Sequence, residues 1–333
     1  MARVAVIGAG AWGTALALVA HDGGADVALW AHRPEVAAAI AAAGENAAYL
    51  PGIAVPAAVA VTADLARAAA GADAVLLVTP AQYVRETARR LAPHVPGHVP
   101  VVVCAKGIER GTGALMSAVA AETLPGRTLA VLSGPTFAAE VARRLPTAVT
   151  LACADADAGG RLVAILGSAR LRPYLTDDVV GAEVGGAVKN VIAIACGIAA
   201  GRGLGENARA SLITRGLAEI ARLAVALGAR AETLMGLAGI GDLTLTCTSG
   251  QSRNYSLGVA LGRGETLADI LARRRSVAEG VHSAAPVLAL AARAHVEMPI
   301  SAAVAAVVEG RATIDAVIDG LLSRPFRAEG AGA

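Results

Sequence analysis

"RVAVIGAGAWG" (residues 3–13) decides how the rest of the chain is read. "RVAVIG" (3–8) is a short run of β-forming apolar residues and predicts a buried strand. "GAGAWG" (8–13) then matches G-x-G-x-x-G, and a helix is predicted over 14–21. The glycine pattern alone is weak, but strand, loop and helix in this order are the context it needs. Gly8 permits the tight turn, Gly10 lets backbone approach a pyrophosphate, and Gly13 lets the helix pack close to the strand. The helix start offers free N–H groups and a positive dipole end to phosphates. A dinucleotide is the expected ligand.

Working outward, short β-rich runs alternate with helical ones through the first half. Strands are predicted at 26–31, 59–62, 74–79, 99–105, 128–133 and 147–153, with helices at 82–91 and 113–124 among those between them. Continuous apolar strands separated by helices indicate a parallel sheet covered on both faces. The expected fold is a Rossmann-like, doubly wound, mostly parallel α/β sheet. After about residue 180 the pattern changes to long Ala- and Leu-rich helical stretches at 181–200, 206–227, 266–273, 281–294 and 301–308. The expected domains are therefore 1–180, binding a dinucleotide, and 181–325, all-α and carrying substrate and catalytic groups. The tail 326–333 is expected to be disordered.

Bulk composition excludes several classes. The chain has 333 residues, 55% apolar but 2% aromatic, so its core is built of small side chains. A net charge of +2 argues against a nucleic-acid binder. Arg273, Arg274 and Arg275 read as a solvated helix face. Cys104, Cys153, Cys196 and Cys247 lie far apart, which argues against a disulfide framework or a metal site and fits a reduced cytoplasmic setting. The N-terminal glycines argue against a signal peptide. The run 184–201 approaches membrane-span length, but Lys189 at mid-span would cost roughly 2.5–3.5 kcal/mol. A buried helix is the better reading, with Gly185, Gly186, Gly197 and Gly201 weakening the span further.

Of 29 basic residues only Lys106 and Lys189 are lysine. Unlike arginine, a buried lysine can usefully lose its proton. Small neighbours along a helix, Gly185, Gly186 and Ala193, are expected to leave room for a molecule at the Lys189 ammonium. Desolvation should lower its pKa toward that of a general acid/base. Asp242 is a candidate partner. Lys106 follows a strand at the sheet edge where ligands bind, and Gly134 and Thr136 follow the next strand at the same edge. Thr246, Ser252, Arg253 and Asn254 lie in a glycine-containing polar loop that suits a phosphate or carboxylate clamp. The second strand ends in His32 and Arg33 rather than an acid, which suits a 2′-phosphate. NADPH should therefore serve at least as well as NADH.

These stretches, with "ENAAYLPG" (45–52), "AKGIE" (105–109), "SGPTFAAE" (133–140), "LPTAV" (145–149), "GGAVKNVIAIACGI" (185–198), "NARASLITRGLAEI" (207–220), "AGIGDLTLTCTSGQSRN" (238–254) and "VAEG" (277–280), resemble the bacterial NAD(P)-dependent sn-glycerol-3-phosphate dehydrogenases. The resemblance runs in the family's order over nearly the whole chain. It implies hydride transfer between C4 of the nicotinamide and C2 of dihydroxyacetone phosphate, with Lys189 as proton donor and acceptor. It implies that Lys106 supports the oxyanion, and that Asp242 orients Lys189 or the substrate hydroxyl. Lys106 matches a substrate-binding lysine, Gly134, Thr136, Asp242, Ser252, Arg253 and Asn254 match substrate contacts, and Asn190 and Thr246 line the same site. Trp12, His32, Arg33, Lys106, Ala138, Arg253, Val277 and Glu279 match cofactor contacts, NADP(H) or NAD(H). No metal is implied. The partners expected are a small phosphorylated substrate, no nucleic acid and no integral membrane segment, with a homodimer allowed; the product would feed phospholipid synthesis. The rivals are a ketopantoate reductase, a β-hydroxyacid dehydrogenase and a non-catalytic dinucleotide sensor. The second expects G-G-x-x-K-x-x-x-N, but position 193 is alanine.

Overall fold

A computed structural model describes residues 1–274 and 278–326. The chain divides into two compact units, Met1–Glu109 with Ala114–Glu183, and Arg110–Gly113 with the residues from Val184 onward. Arg275, Val277 and the tail 327–333 lie outside the described residues.

The first unit holds strands β1 (Arg3–Ile7), β2 (Asp26–Trp30), β3 (Ala60–Thr62), β4 (Ala74–Leu77), β5 (Val101–Val103), β6 (Leu129–Ser133), β7 (Thr147–Cys153) and β8 (Leu171–Thr176). Its helices are α1 (Ala11–Asp22), α2 (Pro34–Ala43), α3 (Leu65–Ala69), α4 (Val84–Leu91), α5 (Met116–Thr123), α6 (Ala138–Ala142) and α7 (Ala156–Leu166). The sheet order is β3-β2-β1-β4-β5-β6-β7-β8. The first six strands are parallel, β7 runs antiparallel to β6, and β8 is parallel to β7. The expected mostly parallel Rossmann-like sheet is present. The antiparallel pair corrects one detail, since β7 does not continue the parallel direction. β8 was not expected at all: Pro173 lies inside it, and proline is tolerated there because β8 is the last strand of the sheet.

The core follows the composition. β4 and β5 are buried along their full length, and Trp30 is among the largest fully buried side chains. Its indole N–H donates to the Ala63 carbonyl at 2.9 Å, so the one polar atom of that ring is satisfied.

The second unit is helical. It contains α8 (Val179–Gly201), in which the division falls, then α9 (Gly205–Ala226), α10 (Ala231–Leu234), α11 (Asp242–Thr248), α12 (Arg253–Gly262), α13 (Leu267–Ala272), α14 (Glu279–Arg293), α15 (Pro299–Val308) and α16 (Ile314–Leu322). Among the described residues α8 alone is long and apolar enough to cross a membrane, yet 83% of its apolar window is buried inside the protein. Its glycines serve packing. A Cβ at Gly197 would stand 2.1 Å from the Tyr255 carbonyl oxygen, and one at Gly258 would stand 2.2 Å from that of Ile194. The backbones of α8 and α12 therefore touch, and side chains at these crossings would force the helices apart. At the far side of α9, Glu219 accepts from Ile300 N, Ser301 N and Ser301 Oγ at 2.6, 3.1 and 2.9 Å, capping the start of α15.

Candidate active site

In the first unit the glycine loop joins β1 to α1. Gly8 has φ +127°, and a Cβ there would lie 3.0 Å from the Val78 carbonyl. A Cβ on Gly13 would lie 1.8 Å from the Gly8 carbonyl oxygen. Both positions therefore require glycine. A Cβ on Gly10 would meet nothing within 4 Å, so open space faces the loop. No side chain caps the start of α1, leaving its N–H groups for a ligand. The half-buried Trp12 has an indole N–H with no hydrogen-bond partner.

Asn46, 1% exposed, braces this loop: its amide donates to the Ala9 carbonyl at 3.0 Å and to Thr14 Oγ1 at 2.8 Å. At the end of β2, His32 meets the Trp30 ring edge-on with centroids 5.7 Å apart. The Arg33 guanidinium is half exposed, donates to Tyr49 Oη at 2.7 Å and lies 3.7 Å from Glu35. Past the carboxyl ends of β5 and β6, Lys106 Nζ donates to the Gly134 carbonyl at 2.9 Å. Thr136 Oγ1 donates to the same carbonyl at 3.1 Å. Gly134 has φ +133°, and a Cβ there would press on Val149 at 3.1 Å. Ala138 opens α6.

In the second unit Lys189 sits on α8 with its side chain 7% exposed. It forms a salt bridge with Asp242, whose side chain is 1% exposed, and donates to Thr246 Oγ1 at 2.9 Å. The Thr246 hydroxyl donates its single proton to the Asp242 carbonyl at 2.6 Å, so toward Lys189 it is an acceptor. Burial disfavours the ammonium and the carboxylate of the expected partner favours it, so the pairing opposes the effect of desolvation.

A wide turn carries Asp242 to this place. Gly241 N donates back to the Gly236 carbonyl at 3.2 Å, five residues earlier. A Cβ on Gly185 would stand 2.3 Å from the Ala238 carbonyl oxygen. Gly185 therefore lets this turn reach α8, which corrects the expectation that it clears space for a ligand.

The polar stretch read as a loop is helical at both ends, a second correction: Thr246 lies in α11, and the other three residues belong to α12 and its cap. Ser252 is the N-cap and accepts from Tyr255 N at 3.2 Å, while Arg253 and Asn254 form the first turn. Asn254 donates to Asn190 Oδ1 at 2.9 Å and accepts from Gly280 N at 2.9 Å. Asn190 also donates to the Gly186 carbonyl at 3.4 Å. This chain of amides ties α8 to α12 and to the start of α14, where Glu279 stands. Arg253 is exposed, and protein packed around it lowers its pKa, opposed by Glu279. Arg274 donates to the Arg253 carbonyl at 2.7 Å and to Ser256 Oγ at 3.2 Å. It lies beyond the end of α13, so the expected solvated face is corrected for Arg274. Val277 falls outside the described residues.

The cysteines are buried free thiols. Burial pushes Cys104 up, and the neighbouring Cys196 thiol together with burial raises Cys247 well above the usual thiol range. Neither has the thiolate character of a nucleophile.

Residues 3–159 match the family model of the NAD-dependent glycerol-3-phosphate dehydrogenase N-terminus, and residues 178–319 that of its C-terminus. The chain belongs to the NAD-dependent glycerol-3-phosphate dehydrogenase family. The glycerol-3-phosphate dehydrogenase (NAD(P)+) of Rhodospirillum rubrum is 60% identical over 98% of this chain and 94% of its own. That of Parvibaculum lavamentivorans is 55% identical over 98% of each. A crystal structure of glycerol-3-phosphate dehydrogenase from Coxiella burnetii is 39% identical, with a TM-score of 0.94 over 97% of this chain and 99% of that one. Ketopantoate reductase, β-hydroxyacid dehydrogenase and pure sensor readings are not favoured over the glycerol-3-phosphate dehydrogenase family.

Two residues of this glycerol-3-phosphate dehydrogenase family member escaped sequence reasoning. Asn46 and Tyr49 lie within "ENAAYLPG" and support the glycine loop and Arg33 respectively. The available signal was an amide and a phenol in a short, mostly apolar stretch after Glu45, and only the fold shows what each holds.

Proposed function

We propose that this chain catalyses the reversible NAD(P)-linked interconversion of dihydroxyacetone phosphate and sn-glycerol 3-phosphate, with Lys189 as the proton-transfer group. The observation that carries the reading is the buried Lys189–Asp242–Thr246 cluster within a chain 60% identical to a protein of that name over nearly its full length. The first unit fits a dinucleotide: open space at Gly10, an uncapped helix start and the unpartnered Trp12 indole N–H are what such a ligand would use. Gly8, Gly10 and Gly13 would hold its diphosphate. Trp12, His32, Arg33, Lys106, Ala138, Arg253, Val277 and Glu279 are the further cofactor contacts proposed.

When bound, the nicotinamide supplies the hydride for reduction and takes it in oxidation. Lys189 as ammonium gives a proton to the C2 oxygen during reduction, and as neutral amine it removes that proton during oxidation. Asp242 and Thr246 hold the ammonium in one rotamer, which limits the entropy lost on reaching the transition state. Lys106, pinned on the Gly134 carbonyl, supplies positive charge for the developing oxyanion. Arg253, at the start of α12, and Asn254 hold the phosphate. Gly134, Thr136, Asn190 and Ser252 complete the proposed substrate set.

The same reading places a soluble enzyme in the cytoplasm, supplying glycerol phosphate to phospholipid synthesis, and allows a homodimer. Its support is the buried character of α8 and the family assignment.

The deciding assay follows NADPH and NADH oxidation with dihydroxyacetone phosphate and, separately, ketopantoate. Turnover with the first substrate alone is expected; turnover with ketopantoate alone would defeat the proposal. Arg33→Ala should weaken NADPH by about tenfold and NADH little. Equal weakening of both would remove the 2′-phosphate role.

A further inference from the structure

The strand order β3-β2-β1-β4-β5-β6 reverses between β1 and β4. In an open parallel sheet, such a reversal leaves a crevice outside the carboxyl ends of the two strands, and ligands settle there. β1 delivers Gly8 to this place, and β4 delivers Val78 and Thr79. The two segments touch: Val78 N donates to the Ile7 carbonyl at 2.9 Å. A Cβ on Gly8 would stand 3.2 Å from Thr79 N.

Thr79 is 7% exposed, and its hydroxyl has no hydrogen-bond partner. That is costly, because a buried hydroxyl without a partner loses its hydration and regains nothing. Other buried threonines here avoid the loss. Thr123 donates to the Val119 carbonyl at 2.7 Å, and Thr246 to that of Asp242 at 2.6 Å. Valine has nearly the same shape as threonine and would bury the same volume without the penalty. The strand before Thr79 is itself "AVLLV", so apolar residues suit this position. Ser133 also carries an unpartnered buried hydroxyl, but it ends β6, two strands beyond the reversal. Thr79 alone of the two stands beside the glycine loop.

We infer that the Thr79 hydroxyl hydrogen-bonds the bound dinucleotide at the β1–β4 crevice, donating to an oxygen of its diphosphate or ribose. The inference rests on the NAD(P) reading above. It makes Thr79 a binding residue that adds a side-chain hydroxyl to the backbone N–H groups of the glycine loop and the start of α1.

The test measures dissociation constants for NADPH and for ADP-ribose by quenching of tryptophan fluorescence. The proteins are the full-length wild type, Thr79→Val and Thr79→Ser, each with its ligand-free unfolding midpoint. Thr79→Val should weaken binding by about tenfold, Thr79→Ser by no more than about twofold, and the ligand-free midpoint should not fall in Thr79→Val. Weakening of both ligands puts the contact on the adenosine diphosphate half; weakening of NADPH alone puts it on the nicotinamide half. Unchanged binding in Thr79→Val, or equal losses in the valine and serine variants, overturns the inference while the NAD(P) reading stands. A wild type that binds neither ligand overturns both.

Discussion

The two units build their sites from opposite materials. In the first, the candidate dinucleotide site is mostly backbone: a left-handed glycine, an uncapped helix start and carbonyl groups that receive Lys106 and Asn46. In the second, the candidate chemistry is carried by buried side chains, with Lys189, Asp242 and Thr246 in one cluster and Asn190 and Asn254 in another. The first kind of site should fail when a Cβ is added, because the space is already filled by main chain. The second should fail when a functional group is removed, because each buried partner then loses its hydrogen bond. That contrast predicts which substitution harms which property.

The largest effect is expected on the side-chain site. Lys189→Arg keeps the charge but cannot return a proton near neutral pH, so turnover should fall by about a thousandfold or more. Cofactor affinity, read by fluorescence titration, should be nearly unchanged. Substantial residual turnover would remove Lys189 from the acid/base role.

Next comes a test of burial rather than chemistry. Glu183 accepts from Ser117 N at 2.7 Å and from Ser117 Oγ at 2.5 Å, and burial pushes its pKa up to about 7. A carboxyl whose folded pKa is raised stabilises the fold in its protonated form. That contribution is complete below its ordinary value of 4.5 and is lost as pH rises through about 7. The loss amounts to about 3 kcal/mol across that window. Glu183→Gln should flatten the pH dependence of the unfolding midpoint between those values. A slope as steep as that of the wild type would show that another group titrates.

The backbone site supplies the third test. Gly13→Ala places a methyl 1.8 Å from the Gly8 carbonyl oxygen, so the loop must move. NADPH affinity should drop by about a hundredfold, comparable to the cost of overpacking a core. Wild-type affinity would mean that the loop does not hold the diphosphate. The smallest effect is expected for Arg253→Ala, which should raise KM for dihydroxyacetone phosphate by about tenfold and leave kcat less affected. A change confined to kcat would break the clamp assignment and narrow the contrast between the units.

Legibility followed the same division. Gly8 and Gly13 could be read because glycine at fixed spacing after a strand reports a backbone need. Lys189 could be singled out because a lone charge in an apolar helix is costly. Its partner could only be named as a candidate, since 53 residues separate Lys189 from Asp242. α12 was read as a loop because its opening is polar and glycines flank and interrupt it. The serine at 252 was an available cap signal, with its oxygen accepting from Tyr255 N. β8 was hidden by Pro173, which excludes a central strand but not the edge strand found here.

By itself the sequence determined the alternation of strands and helices, the glycine loop and the two lysines that stand out among the arginines. These are local or compositional properties, set by side-chain period, by φ and by the cost of burying charge. Tertiary structure alone decided that Gly185 admits the Ala238 carbonyl, that Asn46 braces the loop, and that Asp242 and Thr246 converge on Lys189. Those facts depend on which backbones approach within about 4 Å. No spacing along the chain encodes such an approach, because it results from packing between segments far apart in sequence.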